Sequence, residues 1–393
     1  MADRIYLDWN ATAPLSAPAR GAMLAALDMV GNASSVHGEG RAARRLVEVA
    51  REQVAALVGA EARNVVFTSG GTEANALALT PAIEYGAVKA PLDRLLVSAI
   101  EHPSVQSGGR FARAAAEEIP VTPDGIVDLS ALGARLAELK AAGERALVSI
   151  MHANNETGVL QPVAAAAELV HAAGCLLHVD AIQTVWRIRC DINELGADLL
   201  TVSGHKLGGP QGTGALVRAS EALHFPDPLI KGGGQERGSR AGTENVAAIT
   251  GLGAAAAARS ASVQADGAAM AAVRDRLETG LKAISEETVI FGSAAERLPN
   301  TSLFAVPGCR AETALIALDL EGFAVSSGSA CSSGKVTASH VLRAMRVPDR
   351  LASGAIRVSL GPDTTEAQIE AFLKAWKTLV SRLSKREKRG LAA

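Results

Sequence analysis

Two runs of sequence decide the fold: Leu176-Leu177-His178-Val179-Asp180, and Leu199-Leu200-Thr201-Val202-Ser203-Gly204-His205-Lys206. Each begins as a short apolar strand and ends in side chains that can carry charge. Pyridoxal phosphate requires a lysine that forms a Schiff base and a carboxylate that holds the proton of the pyridinium nitrogen. Lys206 and Asp180 meet that requirement, although a surface lysine and a turn aspartate explain the same residues. The other polar residues of the chain favour the cofactor site.

Outward from these runs, short apolar strands alternate with helical patterns. An amphipathic helix is predicted over 41–58 and another helix over 73–79. Further strands are predicted at 65–68, 95–98, 147–150 and 215–217. Short apolar strands separated by helices predict an α/β fold whose mostly parallel sheet is covered on both faces. In such sheets, ligands bind at the carboxyl ends of the strands.

The composition changes after Asn245. An Ala-rich stretch over 246–272 predicts one or two long helices that lead out of the sheet. A smaller α+β region is predicted next, from strands near 289–291, 302–306 and 356–359 and a helix over 312–320. Because 393 residues exceed the usual size of a single core, we expect two domains. Residues 15–258 are assigned to a large cofactor-binding domain, and residues 1–14 and 259–393 to a small domain.

Charge and cysteine usage narrow the class of protein. The chain has 39 Lys and Arg against 41 Asp and Glu, which gives no general attraction to nucleic acid or to an acidic membrane. It opens without an apolar signal segment, and no charge-free apolar run is long enough to cross a bilayer. Its cysteines lie far apart without a Cys-x-x-Cys pair, so neither a disulfide framework nor a zinc site is expected. We predict a cytoplasmic protein with no resident metal.

A glycine-rich turn, Ser69-Gly70-Gly71-Thr72-Glu73, joins a predicted strand to a predicted helix. Glycines let the backbone approach an anion, and the free amides at a helix start favour phosphate. The glycine fingerprint of dinucleotide-binding proteins and the Gly-Lys-Ser/Thr loop of nucleotide-binding proteins are both absent from the sequence. The turn therefore indicates a phosphate site and argues against a dehydrogenase or a nucleotidase.

Further polar groups end predicted strands or open the loops that follow them. These are His102, the pair Asn154-Asn155, Gln183, and Ser203 with His205. A lone histidine at a strand end is more often a satisfied core residue than a catalyst. Because the carboxyl ends of parallel strands meet at one edge of a sheet, the position that these groups share with Lys206 favours a single site.

Cys331 lies in the Ser/Gly-rich stretch Ser326-Ser327-Gly328-Ser329-Ala330-Cys331-Ser332-Ser333-Gly334. A free cysteine is usually a small buried hydrophobe. This setting favours an exposed, mobile thiol instead, which can enter a pocket and leave it again, as a nucleophile and carrier must. Cys175 is predicted to lie in the core, and structural roles are favoured for Cys190 and Cys309.

Arg357 places a guanidinium in the otherwise apolar strand Ile356-Arg357-Val358-Ser359-Leu360. A buried arginine needs an anionic partner, and the α-carboxylate of a substrate suits its bidentate geometry. An internal salt bridge is the alternative, and the sequence leaves it open.

Several segments carry a resemblance that runs nearly from end to end. They are 6–8, 10–12, 67–75, 154–158, 178–183, 203–206, 233–237, 240–245 and 327–331. Together they resemble a cysteine desulfurase of the type used for iron–sulfur and nitrogenase cluster assembly, among the class V aminotransferase-like, fold-type I pyridoxal phosphate enzymes. The resemblance implies a large domain with a mostly parallel seven-stranded sheet. It also implies a smaller C-terminal α+β domain that carries the catalytic cysteine on a long loop.

The resemblance implies roles around the cofactor ring. Lys206 would be the Schiff-base lysine, with Asp180 at the ring nitrogen and Gln183 at the phenolic oxygen. His102 would stack on the ring and take part in proton transfers.

It also implies how the phosphate is held. Gly71, Thr72, Ser203 and His205 would bind the phosphate of their own subunit. Thr243 would reach the phosphate of the neighbouring subunit, which implies a homodimer with shared active sites.

Substrate and sulfur would be handled by three residues. Asn155 would face cofactor and substrate, although Asn154 beside it keeps that choice open. Arg357 would bind the carboxylate of L-cysteine. Cys331 would be the nucleophile that becomes a persulfide as cysteine is converted to alanine. An iron–sulfur scaffold or another acceptor protein would then collect the sulfur, and a transient iron–sulfur contact at Cys331 is compatible with this role.

The chain departs from the family pattern at positions that do no chemistry. Trp186 stands where glycine is common, Ala33 replaces a usual proline, and Ser239 stands where an apolar residue is frequent. The rival functions are an aminotransferase, a selenocysteine lyase and a catalytically silent sulfur carrier or scaffold. The sequence leaves open which acceptor is served, and whether the pathway is nitrogen fixation, housekeeping cluster assembly or tRNA thiolation.

Overall fold

The computed structural model describes residues 4–328 and 339–390, with side chains up to residue 382. The strands are β1 (Ile5–Tyr6), β2 (Val65–Thr68), β3 (Glu84–Tyr85), β4 (Arg94–Ser98), β5 (Ala116–Ile119), β6 (Ala146–Met151), β7 (Leu176–Asp180), β8 (Leu199–Ser203), β9 (Gly214–Arg218), β10 (Leu223–His224), β11 (Val289–Ile290), β12 (Thr301–Ala305), β13 (Phe323–Ala324), β14 (Ser326–Ser327) and β15 (Ile356–Ser359). The helices are α1 (Ala17–Leu27), α2 (Gly38–Leu57), α3 (Gly71–Ala78), α4 (Pro103–Gln106), α5 (Leu129–Ala142), α6 (Val163–Ala172), α7 (Val246–Ile284), α8 (Ala311–Leu320), α9 (His340–Ala344), α10 (Asp349–Ala352) and α11 (Glu366–Gly390).

Seven strands form the main sheet, in the order β2-β9-β8-β7-β6-β4-β5. Strands β5, β4, β6, β7 and β8 pair in parallel, and β9 runs antiparallel to both of its neighbours, β8 and β2. The predicted mostly parallel α/β sheet is therefore confirmed. Asp180 pairs with Thr201, so β7 and β8 end at the same edge of the sheet.

Both faces of the main sheet are covered, because successive side chains of each strand enter different cores. Leu147 and Leu176 pack with Leu77 of α3 on one face. Val148 and Leu177 belong to the core on the other face, where α2 and α7 pack. Strands buried on both faces explain the continuous apolar runs of the sequence.

Strand β5 is missing from the sequence-based expectation. It lies at an end of the sheet and reads Ala116-Glu117-Glu118-Ile119, with only Ile119 buried. Arg135 donates to Glu117 at 2.7 Å from the neighbouring helix. A polar edge strand of this kind lacks the apolar run that identifies the central strands, and its charges discourage pairing with other chains.

A second sheet has the antiparallel order β11-β12-β15-β14. Strand β1 pairs in parallel with β13, which supports placing the N-terminal residues with this part of the chain. The predicted boundary after residue 258 falls inside the continuous helix α7. The division into a domain of residues 15–258 and one of residues 1–14 and 259–393 stays a prediction.

Helix α7 is longer than the predicted 246–272 stretch and reaches Ile284. Within the part of the chain that the structure describes, it is the helix long and apolar enough to cross a membrane by length and composition. Its residues Leu252, Ala255 and Ala256 are fully buried in the core that includes α2. Packing against the sheet domain therefore accounts for the apolar character of its first half.

Candidate active site

A cavity of about 360 Å³ opens at the carboxyl edge of the main sheet. It brings together ten of the residues predicted for the site: Gly71, Thr72, His102, Asn155, Asp180, Gln183, Ser203, His205, Lys206 and Arg357. They come from the ends of different strands and from β15 of the second sheet, so the fold gathers groups that are far apart in sequence.

Lys206 ends a short 3-10 turn, Gly204–Lys206, which follows β8 directly. Its Nζ donates to the main-chain carbonyl of Ala11 at 2.8 Å and to that of Asn10. The indole Nε1 of Trp186 donates to the carbonyl oxygen of Lys206 at 2.6 Å. Both ends of this lysine are therefore held, the amine by the N-terminal segment and the main chain by Trp186.

Asp180 ends β7 and is only 5% exposed. Its Oδ2 accepts from Nδ2 of Asn75 at 2.9 Å, and its Oδ1 accepts from the main-chain N–H of Ile182 at 3.0 Å. These two donors fix the orientation of the carboxylate. The arrangement suits a group that must hold a proton on a neighbouring ring nitrogen.

Gln183 retains hydrogen-bonding capacity. Its Nε2 donates to the carbonyl of Asn10 at 3.1 Å, whereas its buried Oε1 has no partner among the described residues. A buried polar atom without a partner is destabilising unless a ligand supplies one. The side chain is therefore consistent with a polar cofactor in the cavity.

The glycine turn also fits a phosphate. Helix α3 begins at Gly71, and the main-chain N–H groups of Gly71 and Thr72 in its first turn have no partner within the helix. A Cβ added at Gly71 would lie 2.2 Å from Cδ1 of Ile182 and 3.4 Å from Cβ of Ser203. The close packing of Ile182 therefore requires a glycine at the start of this helix.

Two imidazoles in the cavity are neutral near pH 7. Burial, with a smaller effect of nearby Lys206, lowers the pKa of His205 to about 4. Burial also lowers the pKa of His102, against the attraction of Asp180. The His102 ring caps α4 and lies 2.8 Å from Oγ of Ser104 through Nδ1. A neutral His102 can accept a proton, as the predicted role in proton transfer requires.

Arg357 lines the cavity and is also engaged in an internal ion pair. One guanidinium nitrogen donates to Oδ1 of Asp8 at 2.8 Å, and another donates to the carbonyl of Asn155 at 2.9 Å. The Nε atom is buried without a partner among the described residues. The salt bridge considered as the alternative is thus present, and it holds the guanidinium at the cavity wall.

The structure distinguishes the two adjacent asparagines. Asn154 is fully buried, and its Oδ1 accepts from the main-chain N–H groups of Glu156 and Thr157 at 2.9 Å. Asn155 lines the cavity instead. Asn154 thus shapes the turn, and the position of Asn155 supports its proposed contact with cofactor and substrate.

One described residue predicted for the site, Thr243, is not brought into this cavity. Thr243 is exposed and lines a separate cavity of about 190 Å³ with Arg240 and Gly242. Cys331 lies outside the described residues. The other cysteines, Cys175, Cys190 and Cys309, are buried, as their predicted structural roles require.

The chain leading to Cys331 begins beside the cavity. Ser326 of β14 pairs with Arg357 of β15. The described residues continue to Gly328, three positions before Cys331.

The sequence-based reasoning missed other residues of the cavity wall: Asn10, Ala11, Ser104, Met151, Ala153 and Ile182. Asn10 is the most important, because its carbonyl accepts from both Lys206 and Gln183. Asn10 is distant from Lys206 and Gln183 in sequence, so no local sequence pattern predicts these contacts. Asp8, which pairs with Arg357, was missed for the same reason.

The Aminotransferase class-V family matches residues 5–372, and the chain belongs to this family. Enzymes of this family are pyridoxal phosphate enzymes. A cysteine desulfurase from Cereibacter sphaeroides is 42% identical over 387 residues, which cover 97% of each chain. A cysteine desulfurase IscS from Dictyoglomus turgidum is 37% identical over 388 residues, which cover 98% of this chain and 96% of the other.

Among solved structures, the X-ray structure of a NifS-like protein from Rickettsia africae superposes with a TM-score of 0.85 at 35% identity, covering 96% of this chain and 99% of the other. The structure of SspA in complex with cysteine superposes with a TM-score of 0.72 at 27% identity, covering 92% of this chain and 100% of the other. The predicted fold class is confirmed by these likenesses and by the sheet order.

Proposed function

We propose that this protein is a pyridoxal phosphate-dependent cysteine desulfurase, which converts L-cysteine to L-alanine and leaves a persulfide on Cys331. The observation that carries the proposal is the cavity that combines Lys206, Asp180 and Arg357. An amine, a hydrogen-bonded carboxylate and a guanidinium are the groups that this cofactor and an amino-acid substrate need. Similarity to proteins named cysteine desulfurase over nearly the whole chain supports the same activity.

Pyridoxal phosphate, when bound, supplies an electron sink for bonds at the Cα of an amino acid. Lys206 would hold the cofactor covalently, and Asp180, oriented by Asn75, would hold a proton at the ring nitrogen. The N–H groups of Gly71 and Thr72, with Ser203 and His205 beside them, would bind the phosphate. This set would hold the cofactor at the ends of β7 and β8.

The substrate would be placed by the opposite wall. The Arg357 guanidinium, held by Asp8, would share its charge with the α-carboxylate of cysteine, and Asn155 would orient the bound amino acid. His102 and the Lys206 amine would move the Cα proton, because a neutral imidazole can accept it. The sulfur of the substrate would then face the wall from which the Cys331 segment departs.

The sulfur of the substrate thiol is transferred to the thiol of Cys331, and no outside oxidant is needed. The Cys331 thiolate attacks the substrate sulfur, the S–S bond forms, and the C–S bond of the substrate breaks. The electron pair of that bond stays on the substrate carbon, which takes up a proton and becomes the methyl group of alanine. A thiolate of an acceptor then attacks the outer sulfur of the persulfide and restores the Cys331 thiolate.

The partners follow from the same reaction. The acceptor would be an iron–sulfur scaffold or another thiol-bearing protein, and the reducing cytoplasm would keep Cys331 free.

Thr243 lies on an exposed loop away from the Lys206 cavity, which supports a homodimer in which it reaches the neighbour's phosphate. Mixing Lys206→Ala and Thr243→Ala subunits tests this idea. Regained activity in the mixture supports shared sites, and strictly averaged activity contradicts them.

The function is tested by supplying L-cysteine and a thiol acceptor to the cofactor-loaded protein and measuring alanine and sulfide together. We expect equal amounts of both from the native protein and neither above background from Cys331→Ser. An aminotransferase would release a keto acid and tolerate Cys331→Ser. A lyase specific for selenocysteine would leave cysteine unchanged, and a silent scaffold would bind no pyridoxal phosphate.

A further inference from the structure

Trp186 occupies a position where glycine is common in proteins with this pattern, and the structure gives its side chain a specific contact. The indole is fully buried behind the cavity. Its Nε1 donates to the carbonyl oxygen of Lys206 at 2.6 Å. A glycine could make no such bond, so this contact with the main chain of Lys206 depends on the tryptophan.

The indole is itself held by stacking. The guanidinium groups of Arg187 and Arg259 each lie 4.7 Å from the centre of the Trp186 ring. The ring of Trp9 lies 6.0 Å away, tilted by 50°. Guanidinium groups over a tryptophan face are attractive, more so when water is excluded. The stack therefore fixes the direction in which the indole N–H points.

Arg187 makes this stack unusual. It is fully buried, and no carboxylate among the described residues pairs with it. It donates to the carbonyl of Gln183 at 2.5 Å and to that of Trp9 at 3.3 Å. Burial, with smaller effects of Arg357 and Arg259, lowers its pKa to about 9, so it remains a cation at pH 7. A buried cation normally requires a partner, and here the Trp186 face takes part of that role.

The same stack reaches the residue after the lysine. Nε of Arg259 donates to the carbonyl of Leu207 at 3.3 Å, next to the carbonyl that Trp186 binds. The preceding carbonyl, that of His205, accepts from the main-chain N–H of Ala13 at 2.8 Å. Three consecutive carbonyls around Lys206 therefore have donors from outside the turn, and side chains of the stack supply two of them.

We propose that Trp186 is a positioning residue for Lys206, with Arg187 and Arg259 holding its indole so that the N–H fixes the lysine main chain. It acts through Lys206 and touches neither cofactor nor substrate. The inference rests on the proposed function only in taking Lys206 as the cofactor lysine. Its consequence is a lysine amine whose position is set from behind the cavity as well as by the carbonyls of Asn10 and Ala11.

The test compares Trp186→Phe, which keeps an aromatic face but loses the N–H, with Trp376→Phe as the matched control. Trp376 is equally buried, and its Nε1 has no partner among the described residues. The readouts are the pH midpoint of the absorbance change of bound pyridoxal phosphate, the release rate of the cofactor, and thermal unfolding without cofactor. We expect Trp186→Phe to shift the midpoint and to speed release roughly fivefold, as loss of one hydrogen bond implies. Trp376→Phe should change neither.

An unchanged midpoint and release rate in folded Trp186→Phe would overturn the proposal. If that variant does not fold, Arg259→Met provides the second route, because it removes one face of the stack and the bond to Leu207 while leaving the indole. It should shift the same two readouts, and an unchanged Arg259→Met would overturn the proposal equally. Failure of the native protein to bind pyridoxal phosphate at all would instead contradict the proposed function.

Discussion

Two cavities of this protein differ in the chemical groups that line them, and the larger cavity is not the one with the predicted catalytic residues. The Lys206 cavity measures about 360 Å³. A second cavity, here named the arginine-rich cavity, measures about 570 Å³. Its charged lining residues are Arg44, Glu48, Arg51, Arg63, Arg218, Glu236, Arg237 and Glu244. The larger space lies apart from the strand ends that carry the predicted chemistry.

The arginine-rich cavity is built around a buried ion pair. Arg51 binds the carboxylate of Glu236 in a bidentate manner, at 2.6 and 3.0 Å, and Glu236 also accepts from the N–H of Phe67 at 2.9 Å. The pair fastens β2 to the loop that contains Glu236, whose φ of 48° is costly for a residue other than glycine. These charges hold structure together.

The Lys206 cavity differs in chemical variety. Its walls offer an amine, two neutral imidazoles, a carboxylate and a guanidinium, drawn from different elements. Guanidinium groups and carboxylates, the charged groups of the arginine-rich cavity, include neither an amine for a Schiff base nor an imidazole for proton transfer. Variety of titratable groups therefore identifies the active site better than volume does.

The largest effect on activity is expected from Lys206→Ala in the Lys206 cavity. The variant should lose all turnover and the borohydride-reducible link to the cofactor, because no other amine among the described residues lines the cavity. Lys206→Arg is the matched control, since it keeps a positive charge but cannot form the covalent link. Alanine release above background from either variant would contradict the assignment.

Arg51→Met should act on stability alone. The substitution leaves Glu236 as an uncompensated buried charge, which costs about 3–5 kcal/mol in the free energy of unfolding. The double variant Arg51→Met/Glu236→Met should recover much of that loss. Denaturant unfolding measures the effect, and cofactor affinity of the folded protein should stay unchanged. A weakened cofactor site with normal stability would show that the two cavities do not differ as described.

Asp180→Asn should slow turnover about two to three decades while cofactor affinity falls much less. A neutral amide cannot stabilise a proton on the ring nitrogen, so charge stabilisation during the reaction is lost. The proposed contacts of Gly71 and Thr72 with the phosphate would remain. Steady-state kinetics and cofactor titration separate the two effects, and near-normal turnover would refute the electronic role.

Arg357→Ala should raise the cysteine concentration needed for turnover. Loss of one charge-assisted hydrogen-bonding group is worth roughly 1.5–3 kcal/mol, or about one to two decades in affinity. Asp8→Asn is the matched control, because it breaks the ion pair but keeps the guanidinium. If the pair serves structure only, both variants will lose stability equally and leave the KM for cysteine unaltered.

The smallest effect concerns Glu101, which lies behind the cavity. Burial, with a contribution from Asp180, raises its pKa to about 8 from 4.5. The folded protein thus keeps a proton that the unfolded chain has lost, so stability falls as pH rises from 4.5 to 8. The slope from this group is at most about 1.4 kcal/mol per pH unit. Glu101→Gln should remove it, and unfolding at pH 7 and pH 8 compares the slopes. Equal slopes would contradict the raised pKa.

The parts of the fold that the sequence predicted are those with strong local patterns. Strands β7 and β8 are buried throughout and mostly apolar, and each is closed or followed by a charged group, so the strand-end positions of Asp180 and Lys206 could be predicted from their neighbours alone. Strand β5, with two glutamates at the sheet edge, carries no such pattern. Local chemistry was therefore enough for the centre of the sheet but not for its margin.

The parts that the sequence could not predict depend on contacts between distant segments. Asn10 approaches Lys206 and Gln183 only because β1 pairs with β13 and brings the N-terminal segment to the cavity. Trp186 was noted as a departure, but its bond to Lys206 depends on packing against Arg259. The ion pair of Arg357 with Asp8 likewise joins segments that are distant in sequence, so the strand of Arg357 alone does not reveal it.

Cys331 is the cysteine that we propose receives sulfur from the substrate in the Lys206 cavity. Burial opposes thiolate formation at the other cysteines: it raises the pKa of Cys190 to about 12, that of Cys309 to about 11, and that of Cys175 above its usual value. The most direct measurement is to give the cofactor-loaded protein one equivalent of cysteine, block free thiols and map the persulfide by mass spectrometry. We expect a persulfide on Cys331 and one molecule of alanine for each persulfide formed. A persulfide on Cys175, Cys190 or Cys309, or alanine without any persulfide, would contradict it.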